Sequence, residues 1–349
     1  MALGFLVPGR LDQLTGGYLY DRHVVEGLRQ QGRAVDVVEL PGRYPDADTD
    51  TCQAAAEALA RQPDGRTVII DGLALPGLAD SLSQHAQRLH LVGFIHHPLS
   101  LETGQSAASA RHYAELEAAL WPHLKGAICP SEHTARAVRA SGLPAHRVAV
   151  VAPGTHKPAR LHRPRSDGPL QLLAVATITP RKGHRLLVDA LAPLRHLPWQ
   201  LTCIGSLERD PAEAQALQQA IAAHGLEDRI TLLGEQPAER VAQAYQQAHA
   251  FVLPSYHEGY GMVFAEALAH GLPVVSTTAG AIADTVPAAA SLLVPPGDEA
   301  ALRDALRQLM TDAALRARLT ACAAKAAATL PDWGTAVARW ASALDQVSR

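Results

Sequence analysis

Short apolar runs alternate along most of the chain with stretches whose apolar residues recur three or four positions apart. Most of the runs at 4–8, 34–40, 67–71, 89–95, 126–129 and 148–151 are β-branched or fully apolar, as strands buried on both faces are. Helical patterns lie between several of them, at about 18–31, 54–61 and 131–141. The period then fails: 155–169 is rich in Pro, His and Arg. It restarts with apolar runs at 170–177, 201–205, 229–233, 250–254, 273–276 and 291–294, separated by helical stretches that include 186–194, 211–224 and 238–247. Such alternation predicts βαβ units and doubly wound parallel sheets, hence an α/β fold of two Rossmann-like domains. The expected division is 1–158, a linker at 159–169, 170–330, and a last helical segment at 331–349. No internal repeat or low-complexity tail interrupts it.

Composition narrows the class. With 48% hydrophobic and 19% charged residues, the 349-residue chain has ample material for packed cores. A net charge of −3 excludes a strongly basic nucleic-acid binder, so no nucleic-acid partner is expected. No apolar run approaches the ~20 residues that span a bilayer. The start lacks the basic n-region of a signal peptide and reads as a first strand. The segment 111–125 mixes acids and bases, a poor amphipathic anchor, so at most peripheral membrane contact is expected. Cys52, Cys129, Cys203 and Cys322 are far apart with no Cys-x-x-Cys, which fits a reducing cytoplasm and no zinc site.

The densest chemistry lies at Pro254-Ser-Tyr-His-Glu-Gly-Tyr-Gly-Met262, where a strand end, a glycine loop and a helix start follow one another. Free backbone N–H groups and a helix N-terminus make an anion site suited to a diphosphate. Glu258 in the loop and Glu266 in the helix stand eight positions apart, roughly 12 Å along a helix. Two carboxylates at that range suit two diols of one elongated ligand; either alone reads equally as a capping or solvated acid. Arg181-Lys182-Gly183 forms a turn after the run at 170–177, where parallel sheets bind ligands, or else a surface turn with two solvated cations. Gly16-Gly17 after the first strand allows close backbone approach to a phosphate or sugar, or is an ordinary tight turn. His96 and His97 end a buried strand; as neighbours they point to opposite faces and do not suit one metal ion. Asp46, Asp48 and Asp50 match Asp-x-Asp but lie in a polar loop, so no metal is expected there.

Together these stretches resemble the family-4 retaining glycosyltransferases with the GT-B fold. The resemblance rests on Val150-Val-Ala-Pro-Gly154, Thr179-Pro-Arg-Lys-Gly183, Ile204-Gly205, Leu233-Gly234 and, above all, Pro254-Ser-x-x-Glu-Gly-x-Gly with Glu266-Ala-Leu. It implies that Glu258 contacts donor sugar hydroxyls, and that Gly259, Tyr260, Gly261 and Met262 offer amides to sugar and diphosphate. Glu266 would bind the ribose diol and Lys182 the diphosphate, with Gly16 and Gly17 approaching from the first domain. His96 would match the family histidine at the donor sugar, with His97 and Glu102 on the acceptor side. Gly234 and Glu235 would line the nucleobase pocket. The last helix would cross back to the first domain. Two departures stand out. Thr177 occupies the family's diphosphate-binding arginine position, so that either Arg181 supplies that charge or donor binding differs. Pro153-Gly-Thr-His156 replaces the common Asn-Gly-Val-Asp.

The expectation is a metal-independent retaining transfer of a hexose from a UDP- or GDP-sugar to a hydroxyl acceptor, a small molecule or an envelope precursor, with no cofactor. Two alternatives stand beside it. A nucleotide-sugar-binding protein without turnover would follow from Thr177. An NAD-dependent oxidoreductase needs Gly-x-Gly-x-x-Gly after a strand, which Leu14-Thr-Gly-Gly-Tyr-Leu-Tyr20 does not supply.

Overall fold

The computed structural model describes residues 2–159, 161 and 168–348. The linker expected at 159–169 lies mostly outside them. By contact the chain divides into two compact units, Met1–Gly154 with Pro331–Arg349, and Thr155–Leu330. Residues 155–158 thus group with the second unit, and the last helix with the first.

Each unit is built on one six-stranded sheet. The first holds β1 (Leu3–Pro8), β2 (Val35–Leu40), β3 (Thr67–Asp71), β4 (His90–Phe94), β5 (Gly126–Cys129) and β6 (Val148–Val150). Their order is β2-β1-β3-β4-β5-β6, every pair parallel. The second holds β7 (Leu170–Val175), β8 (Trp199–Ile204), β9 (Ile230–Leu232), β10 (Ala250–Leu253), β11 (Val274–Thr277) and β12 (Ser291–Val294). Their order is β12-β11-β10-β7-β8-β9, again all parallel. Every apolar run singled out above forms one of these strands. In each sheet the chain winds first to one side and then to the other. Connections leaving β1 and β3 therefore diverge, as do those leaving β7 and β10, and a crevice opens at the carboxyl ends of each pair.

Helix boundaries moved where polar side chains, not apolar period, set them. Asp48 accepts from Thr51 N–H (2.9 Å) and starts the helix Thr49–Ala60 five residues before its apolar pattern. Asp312 and Asp332 cap Leu315 and Thr335 N–H in the same way. They divide the last part of the chain into the helices Glu299–Thr311, Ala313–Thr329 and Trp333–Val347. The helix Ala107–Leu120 had no apolar signature because only Tyr113, Glu117 and Leu120 are buried along it.

The first core packs Leu6, Val68, Ile70, Leu91 and Ala127 around Trp121. The helix Trp333–Val347 completes the sheet's other face. Trp340 is fully buried and meets Phe94 edge-on with centroids 5.3 Å apart. Val337 lies so close to Gly27 of the helix Gly16–Gln30 that a Cβ there would come within 2.5 Å of it. In the second unit Leu172, Leu201 and Val252 of the sheet pack against Leu187, Leu191, Leu302 and Leu306 of its helices. Truncating a fully buried Trp costs ~3–5 kcal/mol. Trp340→Ala is expected to lose that much in urea unfolding; a loss under ~1 kcal/mol would show that the last helix is not part of the first unit's core.

Candidate active site

The second crevice is assembled from two loops. Past β7 the chain turns through Pro180–Lys182, and Gly183 follows in the left-handed region at φ 70°. A Cβ at Gly183 would collide with the carbonyl oxygen of Pro254, so only glycine lets this turn sit against the end of β10. Tyr256 N–H donates to Arg181 C=O at 2.7 Å and staples the two loops together. β11 fixes the second loop from its other side: Thr277 Oγ1 donates to Ser255 C=O at 2.6 Å, and Ser276 Oγ to Leu253 C=O at 2.7 Å.

Three predicted residues converge there. Lys182 Nζ donates to Glu258 Oε1 at 2.7 Å, and Ser255 Oγ donates to the same oxygen at 2.7 Å. Arg181 Nη1 lies 3.6 Å from Glu258 Oε2 and donates to His257 C=O at 3.0 Å. Glu258 is 5% exposed. Burial alone would raise its carboxyl, but the Lys182 ammonium and Arg181 guanidinium outweigh burial and hold it below the usual range. The loop continues through Gly259, Tyr260 and Gly261, with Tyr260 C=O accepting from Thr285 Oγ1 at 2.7 Å. Met262 then opens the helix Met262–Ala269. Glu266 sits apart from the Lys182 group. Its Oε2 accepts from Tyr245 OH at 3.0 Å, and Tyr245 stacks on His270 with centroids 4.9 Å apart. Burial pushes the Glu266 carboxyl up to about 7, against the Tyr245 hydrogen bond. Thr177 is half-buried beyond the end of β7. Gly234 C=O accepts from Gly205 N–H at 2.9 Å, while the Glu235 side chain is exposed.

The first unit gathers its own group. Gly16 and Gly17 start the helix after β1, and a Cβ on Gly17 would lie 3.4 Å from the His96 ring. His96 Nε2 is 2.8 Å from Asp21 Oδ1. His97 Nε2 lies 3.6 Å from Glu102 Oε2. Asp46 accepts from Tyr113 OH at 2.6 Å and Asp48 is a helix cap, so both have structural partners. The sequence reading missed Ser255, Tyr245, Asp21 and Asp71. Asp71 carried a signal: it is the polar residue ending an apolar strand at the crevice.

Residues 160–326 match the family model described as glycosyl transferases group 1, and residues 11–154 the glycosyl transferase 4-like domain. The D-inositol 3-phosphate glycosyltransferase of Stackebrandtia nassauensis is 33% identical over 180 residues, 49% of this chain and 41% of that protein. The amylovoran biosynthesis glycosyltransferase AmsK of Erwinia amylovora is 34% identical over 182 residues, 49% of this chain and 44% of that one. The chain thus aligns with less than half the length of these curated relatives. Two solved structures share the fold over nearly their whole length. Sucrose-phosphate synthase from Thermosynechococcus elongatus has a TM-score of 0.82 at 22% identity, covering 98% of this chain and 97% of that one. Anabaena HepE in complex with UDP and glucose has a TM-score of 0.75 at 19% identity, covering 99% of both. The fold is that of the GT-B glycosyltransferases. The chain belongs to the group 1 glycosyl transferases, with a glycosyl transferase 4-like first domain.

Two outcomes follow from the site's electrostatics. Removing one partner of a buried ion pair strands the other charge at a cost of ~3–5 kcal/mol, and the retained Arg181 trims that toward ~2–3. Lys182→Met is expected to be destabilised by that amount in urea unfolding, and Lys182→Met/Glu258→Gln to regain most of it. A double variant no more stable than the single one would deny the pairing. Glu266 gives the opposite dependence on pH. A carboxyl raised from 4.5 to about 7 keeps a proton in the folded state that the unfolded chain releases, so it subtracts stability as pH climbs through that window. The side chain is half-buried and retains some hydration, so Glu266→Gln is expected to gain ~1–2 kcal/mol over the native protein at pH 8 and almost nothing at pH 4.5. An equal difference at both pH values would refute the raised carboxyl.

Proposed function

We propose that this chain transfers a hexose from a nucleotide-diphosphate sugar to a hydroxyl acceptor, with retention at the anomeric carbon and without a metal ion. The observation that carries this reading is the convergence of Lys182 and Arg181 on Glu258, beside the N-terminus of the helix that bears Glu266. Two cations and a helix end supply the positive charge that a departing diphosphate needs, which in other transferases a divalent ion provides. Glu258 would meet sugar hydroxyls and Glu266 the ribose diol, with Gly259–Met262 amides between them. UDP- and GDP-sugars are the donors first considered; Anabaena HepE, which shares the fold, is described with UDP and UDP-glucose.

In the step proposed, the bond between the anomeric carbon and the diphosphate oxygen breaks, and its electron pair leaves with the diphosphate. The acceptor oxygen bonds to the anomeric carbon on the same face, and its proton passes to an oxygen of the departing diphosphate. No protein base is required. Binding without turnover is favoured by one observation, Thr177 at the position where the family places a diphosphate-binding arginine. Calorimetry with UDP, GDP, ADP and dTDP in excess EDTA tests the reading. One nucleotide is expected to bind saturably, and Glu266→Ala to weaken it at least ~10-fold, the loss of a charge-assisted hydrogen bond. With the matching sugar nucleotide, NMR is expected to show a product of unchanged anomeric configuration. No binding in EDTA, or an inverted product, would overturn the proposal; binding without hydrolysis or transfer would select the non-catalytic reading.

A further inference from the structure

Asp21 and Asp71 are two acids buried side by side in the first unit, at 0% and 3% exposure. Asp71 ends β3, and Asp21 lies in the second turn of the helix that follows β1. Both therefore face the crevice of the first sheet, where His96 stands just past the end of β4. One ligand atom from each of the three lies within 4.8 Å of the others. The groups facing the imidazole are these two acids, the rings of Tyr20 and Phe94 (centroids 5.9 and 4.4 Å away) and Gly17. We infer that a single proton shared by Asp21 and Asp71 locks His96 as the neutral imidazole with hydrogen on Nε2, so that Nδ1 is a fixed acceptor for a ligand hydroxyl.

The account closes atom by atom. Asp21 Oδ1 faces His96 Nε2 at 2.8 Å, and Leu73 N–H donates to Asp71 Oδ1 at 2.8 Å. One oxygen of each carboxyl group lies within 4.8 Å of the other's. Among the described residues no donor reaches the buried Asp21 Oδ2. Two ionised carboxylates in contact repel, and a proton between them removes that repulsion and satisfies Oδ2. The one remaining negative charge then has two N–H donors, Leu73 and His96. That arrangement requires hydrogen on Nε2. Burial raises both acids well above the usual carboxylate range, and the neighbouring Asp21 adds to it for Asp71. Burial lowers His96 and so keeps it neutral, although Asp71 opposes that. A second proton on the pair would sit on Asp21 Oδ1, point at Nε2 and turn Nδ1 into a donor. A divalent cation would find aromatic rings where its remaining ligands should be.

The side chain of His96 keeps 19% of its surface exposed, and Nδ1 is the nitrogen left for a ligand. A lone pair there accepts from a hydroxyl, while phosphate and carboxylate oxygens have no hydrogen to offer. Asp21 and Asp71 are thus positioning residues acting through His96. On the transferase reading, the hydroxyl recognised belongs to the sugar; the lock itself does not depend on that reading.

The test is a long-range proton–nitrogen spectrum of the histidine rings in the 15N-labelled full-length protein, with His96 assigned from His96→Gln. The neutral Nε2–H pattern is expected throughout about pH 6–8, across the range where an ordinary histidine titrates. Asp71→Asn is expected to keep it, because the amide hydrogen replaces the shared proton. Asp71→Leu is expected to lose it, and the Asn variant stands alone should the Leu variant not fold. One equivalent of Zn2+ is expected to leave it unchanged. Hydrogen on Nδ1, an imidazolium in that range, loss of the pattern in Asp71→Asn, or a Zn2+-induced shift at His96 would each overturn the inference. The spectrum uses neither donor nor acceptor. Failure of the lock is therefore separable from failure of sugar transfer.

Discussion

The Glu258 carboxylate is the charge on which the second unit's working edge depends. Taking a carboxylate out of water costs several kcal/mol unless close partners and further hydrogen bonds replace its hydration. Its partners come from elsewhere in the sequence: Lys182 and Arg181 follow β7, and Glu258 follows β10. Those loops meet only because β7 and β10 are neighbours at the place where the sheet reverses its winding. The rest of the edge serves that meeting. Gly183 removes a side chain that would strike Pro254, Tyr256 N–H holds the Arg181 carbonyl, and Thr277 holds Ser255 from β11. The site is thus a consequence of strand order before it is a consequence of any motif.

The first unit meets the same constraint by other means. Its reversal lies between β1 and β3, and among the described residues no lysine or arginine stands against the buried acids Asp21 and Asp71 there. Where no cation is at hand, a buried acid is neutralised by a proton. On the readings proposed above, the second crevice would suit phosphate, whereas the first would offer hydroxyl groups a neutral ring backed by one negative charge.

This difference also explains what the amino-acid sequence disclosed. The strands were legible because β-branched runs such as Val68-Ile-Ile70 have no polar position to confuse the period. Arg181, Lys182, Glu258 and Glu266 were legible because their types and spacing within two short segments already spell an anion site next to two acids. Asp21 was not. It falls within an apolar helix face between Tyr20 and Val24, and nothing local separates a buried acid from a solvated one. Only the register of β3 against β1 brings Asp71 to it. Tyr245 was hidden in the same way. It reads as one more apolar residue of the helix Ala238–Gln247 until its hydroxyl is seen on Glu266. The helix starts at Thr49 and Ala313 were missed for a third reason: one aspartate side chain sets each of them, ahead of any apolar repeat.

The existing ion pair also shapes how transfer, as proposed, gains from it. A diphosphate arriving at Lys182 meets a cation already held at 2.7 Å by Glu258, so the ground state exchanges one anionic partner for a share in another. Such an exchange contributes little to ground-state binding. As the bond to the sugar breaks, negative charge builds on the departing diphosphate while positive charge builds on the sugar. Lys182 and Arg181 are then drawn to the first, and a carboxylate kept ionised by those same cations faces the second. Interactions that strengthen only as charge separates lower the barrier without deepening the bound state. A Glu258 free of its cations would, when buried, take up a proton and lose that response. On that proposal, holding the acid ionised before the donor arrives would serve the chemistry as well as the fold.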